Sequence, residues 1–279
     1  MALGLAAARL GRRTCIVQLN TRDSVGRFFN RPPIEYDPVR LDDHLPLWGC
    51  NLRPRQCLAE YSLMKLRFRA LHRLVFENEV MRRLLGMVPG MTETLLLGKA
   101  WFMEEMDKGE DGRPTWDTLI IDAPSTGHGV ALFRLPQVIL QAVPVGPMAD
   151  DARRMHAMLS DPLRTSFNIA TLPFELPVNE ALDLQKQARE VIGLPGGFVF
   201  ANMILPELLS ASSQAQIAGL VGNPDPIVDA AAVNAASYVS WRQAQAVQMG
   251  RLRDGAEMPI VELPHRLAPM DFAGIQALS

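Results

Sequence analysis

Short apolar runs alternate with longer amphipathic stretches along this chain, a pattern that predicts strands separated by helices. Thr14-Cys15-Ile16-Val17-Gln18-Leu19 is a nearly continuous apolar run, the mark of a strand buried on both faces. Leu47 to Leu52 repeats it and turns at Pro54, and Thr118 to Ile121 repeats it again and ends at Asp122. Further strands are predicted at Ser166–Leu172, Gly197–Asn202 and Met258–Leu263. Helices are predicted at Met1–Leu10, with Gly11 as the stop, and at Gln56–Met87, with apolar residues at Leu63, Leu66, Ala70 and Leu74. Others follow at Gly90–Asp107, Met148–Ser160 and Val178–Ile192, and through an Ala-rich stretch from Pro206 to Leu252 with a loop at Gly222–Pro226. Asn20 to Asp43, with Pro32-Pro33 and Pro38, reads as irregular. Strands alternating with helices predict an α/β fold: a doubly wound, mostly parallel sheet flanked by helices. The expectation is a single domain over 1–279, with helical elaborations at about 56–107 and 206–252.

Composition narrows the function classes. The chain has 279 residues, 48% apolar and 21% charged, which suits a globular protein able to bury a core without disulfides. A formal net charge of −2 gives no global basic field for nucleic acid or anionic lipid. Basic clusters at Lys65–Arg69 and Arg82-Arg83 read as wet helix faces. The three cysteines, Cys15, Cys50 and Cys57, lack paired metal spacing and suit a reducing compartment, with Cys15 a small core residue. The longest apolar stretch, Val138–Met148, contains Pro144 and Pro147 and is too short to span a membrane. At the start, MALGLAAARLGRR, the arginines follow the apolar run, the reverse of a signal peptide, so the cytoplasm is the expected compartment.

The segment WDTLIIDAPSTGHGVALFRLP, Trp116 to Pro136, carries the most chemistry. A buried strand delivers one carboxylate, Asp122, to its C-terminal edge, and a polar turn, Ser125-Thr126-Gly127-His128, follows. That arrangement suits a metal-phosphate site in an open α/β sheet. Asp122, Pro124, Thr126-Gly127-His128 and Leu135-Pro136 resemble the switch II segment of the arsenical-pump (ArsA) ATPase family, which includes the tail-anchored-protein targeting ATPases. The resemblance covers nearly the whole chain and implies a P-loop NTPase-like fold, with ATP and Mg2+ as ligands. By that resemblance Asp122 holds Mg2+, while Thr126, Gly127 and His128 form the γ-phosphate-sensing element.

Other residues follow from the same likeness. The family's first switch begins with an Asp at the end of the strand after the first helix; here that strand ends in Asn20, with Asp23 nearby. An amide positions water without acting as a carboxylate, so slow hydrolysis is expected unless Asp23 substitutes. Phe200 to Glu207 resembles the strand whose Asn reads the adenine edge, which makes Asn202 the adenine candidate, since its amide both donates and accepts. Val261-Glu262-Leu263-Pro264 resembles the family's last strand, and Pro264 is the second nucleotide-binding candidate. Thr171 to Pro177 resembles the Pro-Glu element after a strand.

Several family features are missing. No Gly-rich, Lys-containing loop precedes the first helix, so the first strand and P-loop are absent. Either the coding sequence begins upstream or the loop has been lost. No Cys-x-x-Cys pair offers a zinc site, the arsenite-binding cysteines have no counterpart, and Leu135-Pro136 to Ser166 leaves room for about two short helices rather than a deep helical groove. Methionines at 81, 87, 91, 103, 106, 148, 155 and 158 read as core filling, with a soft binding surface as the alternative. The resulting expectation is an ArsA-like ATPase that, in its complete form, hydrolyses ATP with Mg2+ to switch a dimer. The alternative is a degenerate, non-catalytic paralogue that regulates an intact one. The partner is thus a homodimer mate or a paralogue in a heterodimer, with no nucleic acid and no zinc. A partition-type ATPase with a membrane-targeting helix is the weakest reading, because Met270–Ser279 has no basic amphipathic face.

Overall fold

The computed structural model describes residues 1–65, 91–124, 126–266 and 270–279. The expected helix beyond Lys65, with Leu66, Ala70 and Leu74, lies outside the described residues, as do both basic clusters apart from the Lys65 backbone and the methionines at 81 and 87. The chain divides into two compact units, 1–164 with 269–279, and 165–268.

In the first unit, α1 (Ala2–Arg9) leads into β1 (Thr14–Leu19), every residue of which is buried. A short α2 (Val25–Phe28) and a two-residue β2 (Val39–Arg40) interrupt the segment expected to be irregular. β3 (Leu47–Leu52) is followed by α3 (Pro54–Lys65). Pro54 therefore opens a helix, where its fixed φ and missing N–H cost nothing. α4 (Met91–Trp101) continues into a π-turn, Phe102–Met106, and β4 spans Thr118–Asp122. α5 (Thr126–Ala142) runs through Pro136 and α6 (Pro147–Ser160) follows. The sheet order is β2-β3-β1-β4, with β1 parallel to both β3 and β4 and β2 antiparallel at the edge.

Successive side chains of a strand face opposite ways, so Ile16 and Gln18 share one face of the central strand. α1 lies on that face: a Cβ built on Gly4 would come within 2.9 Å of Ile16 and 3.4 Å of Ile120. Leu5, Ala8, Ile16, Val25, Phe29, Ile34, Leu41, Leu47 and Ile275 form the core there. Ile275 comes from the last helix, α10 (Phe272–Ala277), whose N-cap Asp271 accepts from the Gly274 N–H. Cys15 and Cys50 meet on the opposite face with sulfurs 3.9 Å apart, both free thiols.

The second unit holds β5 (Phe167–Thr171), α7 (Glu175–Gln187) with a π-turn at Ala188–Ile192, and β6 (Gly196–Ile204). α8 (Ala211–Ala218), the 30-residue α9 (Pro226–Gly255) and β7 (Ile260–Pro264) complete it. Asp225 caps α9 and Pro226 occupies its first turn, a paired start signal. β5-β6-β7 is parallel throughout, and Ile169, Val178, Val199, Ala201, Met249 and Leu252 pack on one side of it. The architecture is therefore mixed α/β with mostly parallel sheets flanked by helices, consistent with a P-loop NTPase-like fold. Among the described residues the strands form two hydrogen-bonded sheets, one in each unit.

Candidate functional site

The C-terminal edge of the first sheet gathers polar groups in register. Gln18 pairs with Asn51 on one side and Asp122 on the other, so a polar row crosses β3, β1 and β4 on the face that α1 covers. Gln18 and Asn51 are fully buried, whereas Asp122 is exposed. Gln18 donates to Ser24 Oγ at 3.1 Å, and Asn51 donates to the Thr21 carbonyl at 2.7 Å. Both side-chain oxygens, Gln18 Oε1 and Asn51 Oδ1, are buried without a partner among the described residues. An unmade hydrogen bond of this kind costs about 1–3 kcal/mol. These two residues were not singled out above, although a lone amide inside an apolar strand was the available signal.

Asp122 also faces the start of α1. The amino group at Met1 is pushed below its ordinary pKa by burial and partly restored by the Asp122 charge. The N-terminal end of α1, the positive end of its dipole, thus stands beside a carboxylate. Such a pair suits a metal-phosphate ligand: the helix end favours the anion, and the carboxylate requires a cation between itself and the phosphate.

Asn20 follows β1 with a left-handed φ of 50°, a conformation Asn tolerates better than most residues. Its N–H extends the ladder to the Leu52 carbonyl, and its Oδ1 accepts from Arg53 at 3.4 Å. Asp23 is tied to the backbone: Oδ1 accepts from the N–H groups of Val25 and Gly26, and Oδ2 from that of Ile34. Thr126, Gly127 and His128 lie in the first turn of α5 rather than in a free turn, and their side chains lie outside what the structure describes. The helix starts close against the preceding chain, since a Cβ on Gly129 would come within 2.8 Å of the Pro124 carbonyl oxygen.

In the second unit Asn202 is half-buried near the end of β6, and its Oδ1 accepts from the Met203 N–H at 2.9 Å. Pro264 ends β7 opposite Ile204 and is exposed. Among the described residues no group of three or more His, Cys, Asp or Glu is placed to hold a metal ion. A Mg2+ ion bound with phosphate needs only one or two carboxylates, so Asp122 meets that requirement. No described helix is long and apolar enough to cross a membrane.

The sequence profile of the anion-transporting ATPases matches residues 1–144, which contain Asn20, Asp23, Asp122 and Thr126 to His128. The chain belongs to the ArsA family of anion-transporting ATPases. Similar proteins include ATPase BagA of Mycobacterium tuberculosis, strain H37Rv, at 24% identity over 227 residues, covering 78% of this chain and 64% of the relative. Mb3704 of Mycobacterium bovis, whose name marks it as an inferred ATPase, matches with the same 24% identity, 78% and 64%. The chain thus spans a little under two thirds of the length of these relatives. Asn202 and Pro264 lie beyond the part covered by the ArsA profile.

Proposed function

We propose that this ArsA-family protein binds ATP with Mg2+ and, in a form that includes a phosphate-binding loop, hydrolyses it to drive a conformational switch in a dimer. The observation that carries this reading is Asp122 at the end of β4, in register with Gln18 and beside the start of α1. Asp122 would hold the metal, which when bound neutralises phosphate charge. Thr126, Gly127 and His128 would respond to the γ-phosphate, and Asn20 or Asp23 would place the attacking water. Asp23 already serves three backbone N–H groups, which favours Asn20 for that role. Asn202 and Pro264 would contact adenine. The reading treats 1–279 as one ATPase domain, forming a homodimer or pairing with a paralogue, in the cytoplasm.

The test is Mg-dependent phosphate release by a form that includes the phosphate-binding loop, as parent and as Asp122→Asn. Turnover in the parent and its loss in the variant, about 10²-fold or more, is expected for removal of a charge-stabilising group. Turnover that persists in Asp122→Asn sinks the assignment. A second reading, a non-catalytic paralogue that regulates an intact ATPase, is favoured by Asn20 at the switch position. Absence of turnover, together with altered turnover of an intact relative mixed with this protein, would select it.

A further inference from the structure

The segment after Asn202 is the most distorted stretch of the second sheet. Met203 has a φ of 63°, a left-handed conformation that costs a residue with a side chain about 1–2 kcal/mol. The ladder with β7 slips at the same place: Ala201 lies opposite Glu262 and Ile204 opposite Pro264, so Asn202 and Met203 together face Leu263. Two residues against one is a β-bulge, a device that re-aims a side chain.

A single side chain from α9 holds this bulge in shape. Gln245, 6% exposed, accepts from the Leu205 N–H at 2.9 Å and donates to the Met203 carbonyl at 3.1 Å. Its amide therefore bridges the backbone on either side of Ile204. One turn earlier on the helix, Arg242 pairs with Glu207 at 3.0 Å, and before it Tyr238 donates to the Pro206 carbonyl at 2.7 Å. The bulge fixes the direction of Asn202, because the Met203 N–H that tethers Asn202 Oδ1 belongs to the left-handed residue itself. With its oxygen tethered, the amide cannot turn over. An amide of fixed orientation can match the adjacent donor and acceptor of adenine N6 and N7, whereas guanine presents an acceptor, O6, in place of the N6 donor.

We propose that Gln245 is a positioning residue for base selectivity: by pinning Met203 and Leu205 it orients Asn202 to prefer adenine over guanine. The proposal rests on the ATP-binding reading above. It is tested by titrating ATP, GTP and inorganic tripolyphosphate into the full chain and into Asn202→Ala, Gln245→Met and Gln245→Glu. Gln245→Met keeps the volume and loses both hydrogen bonds; Gln245→Glu keeps the acceptor for Leu205 and loses the donor to Met203. Expected are an ATP/GTP preference about tenfold lower in Asn202→Ala and Gln245→Met, an intermediate value in Gln245→Glu, and unchanged tripolyphosphate affinity. Faster hydrogen exchange at the Leu205 amide should accompany the loss.

A parental ATP/GTP preference in Gln245→Met, with loss in Asn202→Ala, overturns the positioning role and leaves the adenine assignment standing. If Gln245→Met does not fold, Gln245→Glu decides: an unchanged ATP/GTP preference despite the lost donor to the Met203 carbonyl overturns the role equally. A preference that survives Asn202→Ala overturns the adenine assignment and this proposal with it. A parent protein that binds neither nucleotide overturns the ATP reading itself.

Discussion

The two sheets secure the loops at their C-terminal edges in opposite ways. In the first sheet the loop after β1 is held from within the sheet and the loop itself: Gln18 of β1 reaches Ser24, Asn51 of the neighbouring β3 reaches Thr21, and Asp23 gathers Val25, Gly26 and Ile34. In the second sheet the hold comes from outside, from Gln245 and Tyr238 of α9 on the segment after β6. The difference follows from burial. β1 is covered along its whole length, so its terminal polar residues must find partners within the strand-loop junction. β6 alternates between covered and open positions, which leaves space for a helix side chain to reach the backbone. A junction folded from its own strand should therefore fail as a unit, whereas a clamped one should loosen locally.

The sharpest way to break the first junction is steric. A Cβ on Gly26 would lie 2.4 Å from the Pro32 carbonyl oxygen and 2.9 Å from Asp23 Oδ2, and the nearer of these is backbone that cannot rotate away. Gly26→Ala should destabilise the protein by about 3 kcal/mol, at the upper end of the overpacking range. Chemical denaturation reads this as a lower midpoint. An unchanged midpoint would mean that the loop 20–34 shifts freely, contrary to a self-held junction.

Asp23→Ala removes one acceptor shared by three backbone donors and should cost about 2 kcal/mol, with Asp23→Asn recovering part of it. If both substitutions are neutral in denaturation, Asp23 is free for chemistry and its role in placing water regains weight.

The clamped junction should respond more weakly. Tyr238→Phe deletes one hydrogen bond, to the Pro206 carbonyl, and should cost about 1 kcal/mol. Hydrogen exchange is expected to rise around 203–207 and to stay constant in β5. A global rise would show that α9 supports the whole unit rather than one loop.

The sequence made the strands legible because burial on both faces leaves little choice of residue. Thr14–Leu19 and Leu47–Leu52 are found with the boundaries their apolar runs predict. Asp122 was legible for a related reason, being the first carboxylate after such a run. The start of α5 at Thr126 was not, since Thr-Gly-His carries weak helix propensity and is overridden by the apolar face that follows. Gln245 left no mark either, because in a long Ala- and Val-rich helix its partners are backbone groups about 40 residues earlier, invisible to any local pattern.

The smallest expected effect lies at the opposite end of the first sheet and separates its two ends. Asp117 accepts from the Arg13 N–H and forms a two-point ion pair with the Arg13 guanidinium, joining the start of β1 to the start of β4. Hydrogen bonding to the Arg13 side chain, then to its backbone, lowers the Asp117 pKa to about 2. A depressed carboxylate pKa stabilises the fold above the unfolded value of about 3.9 and loses that contribution as pH falls through the folded value. The window is therefore about pH 4 to pH 2. The carboxylate is 39% exposed, so screening holds the effect to at most about 1 kcal/mol. Stability measured across that window should fall less steeply in Asp117→Asn than in the parent, and the difference should shrink in high salt. Parallel curves would show that the pair adds nothing to folding, and that the register of β1 against β4 is set by the backbone bonds from Asp117 and Thr118 to the Arg13 carbonyl.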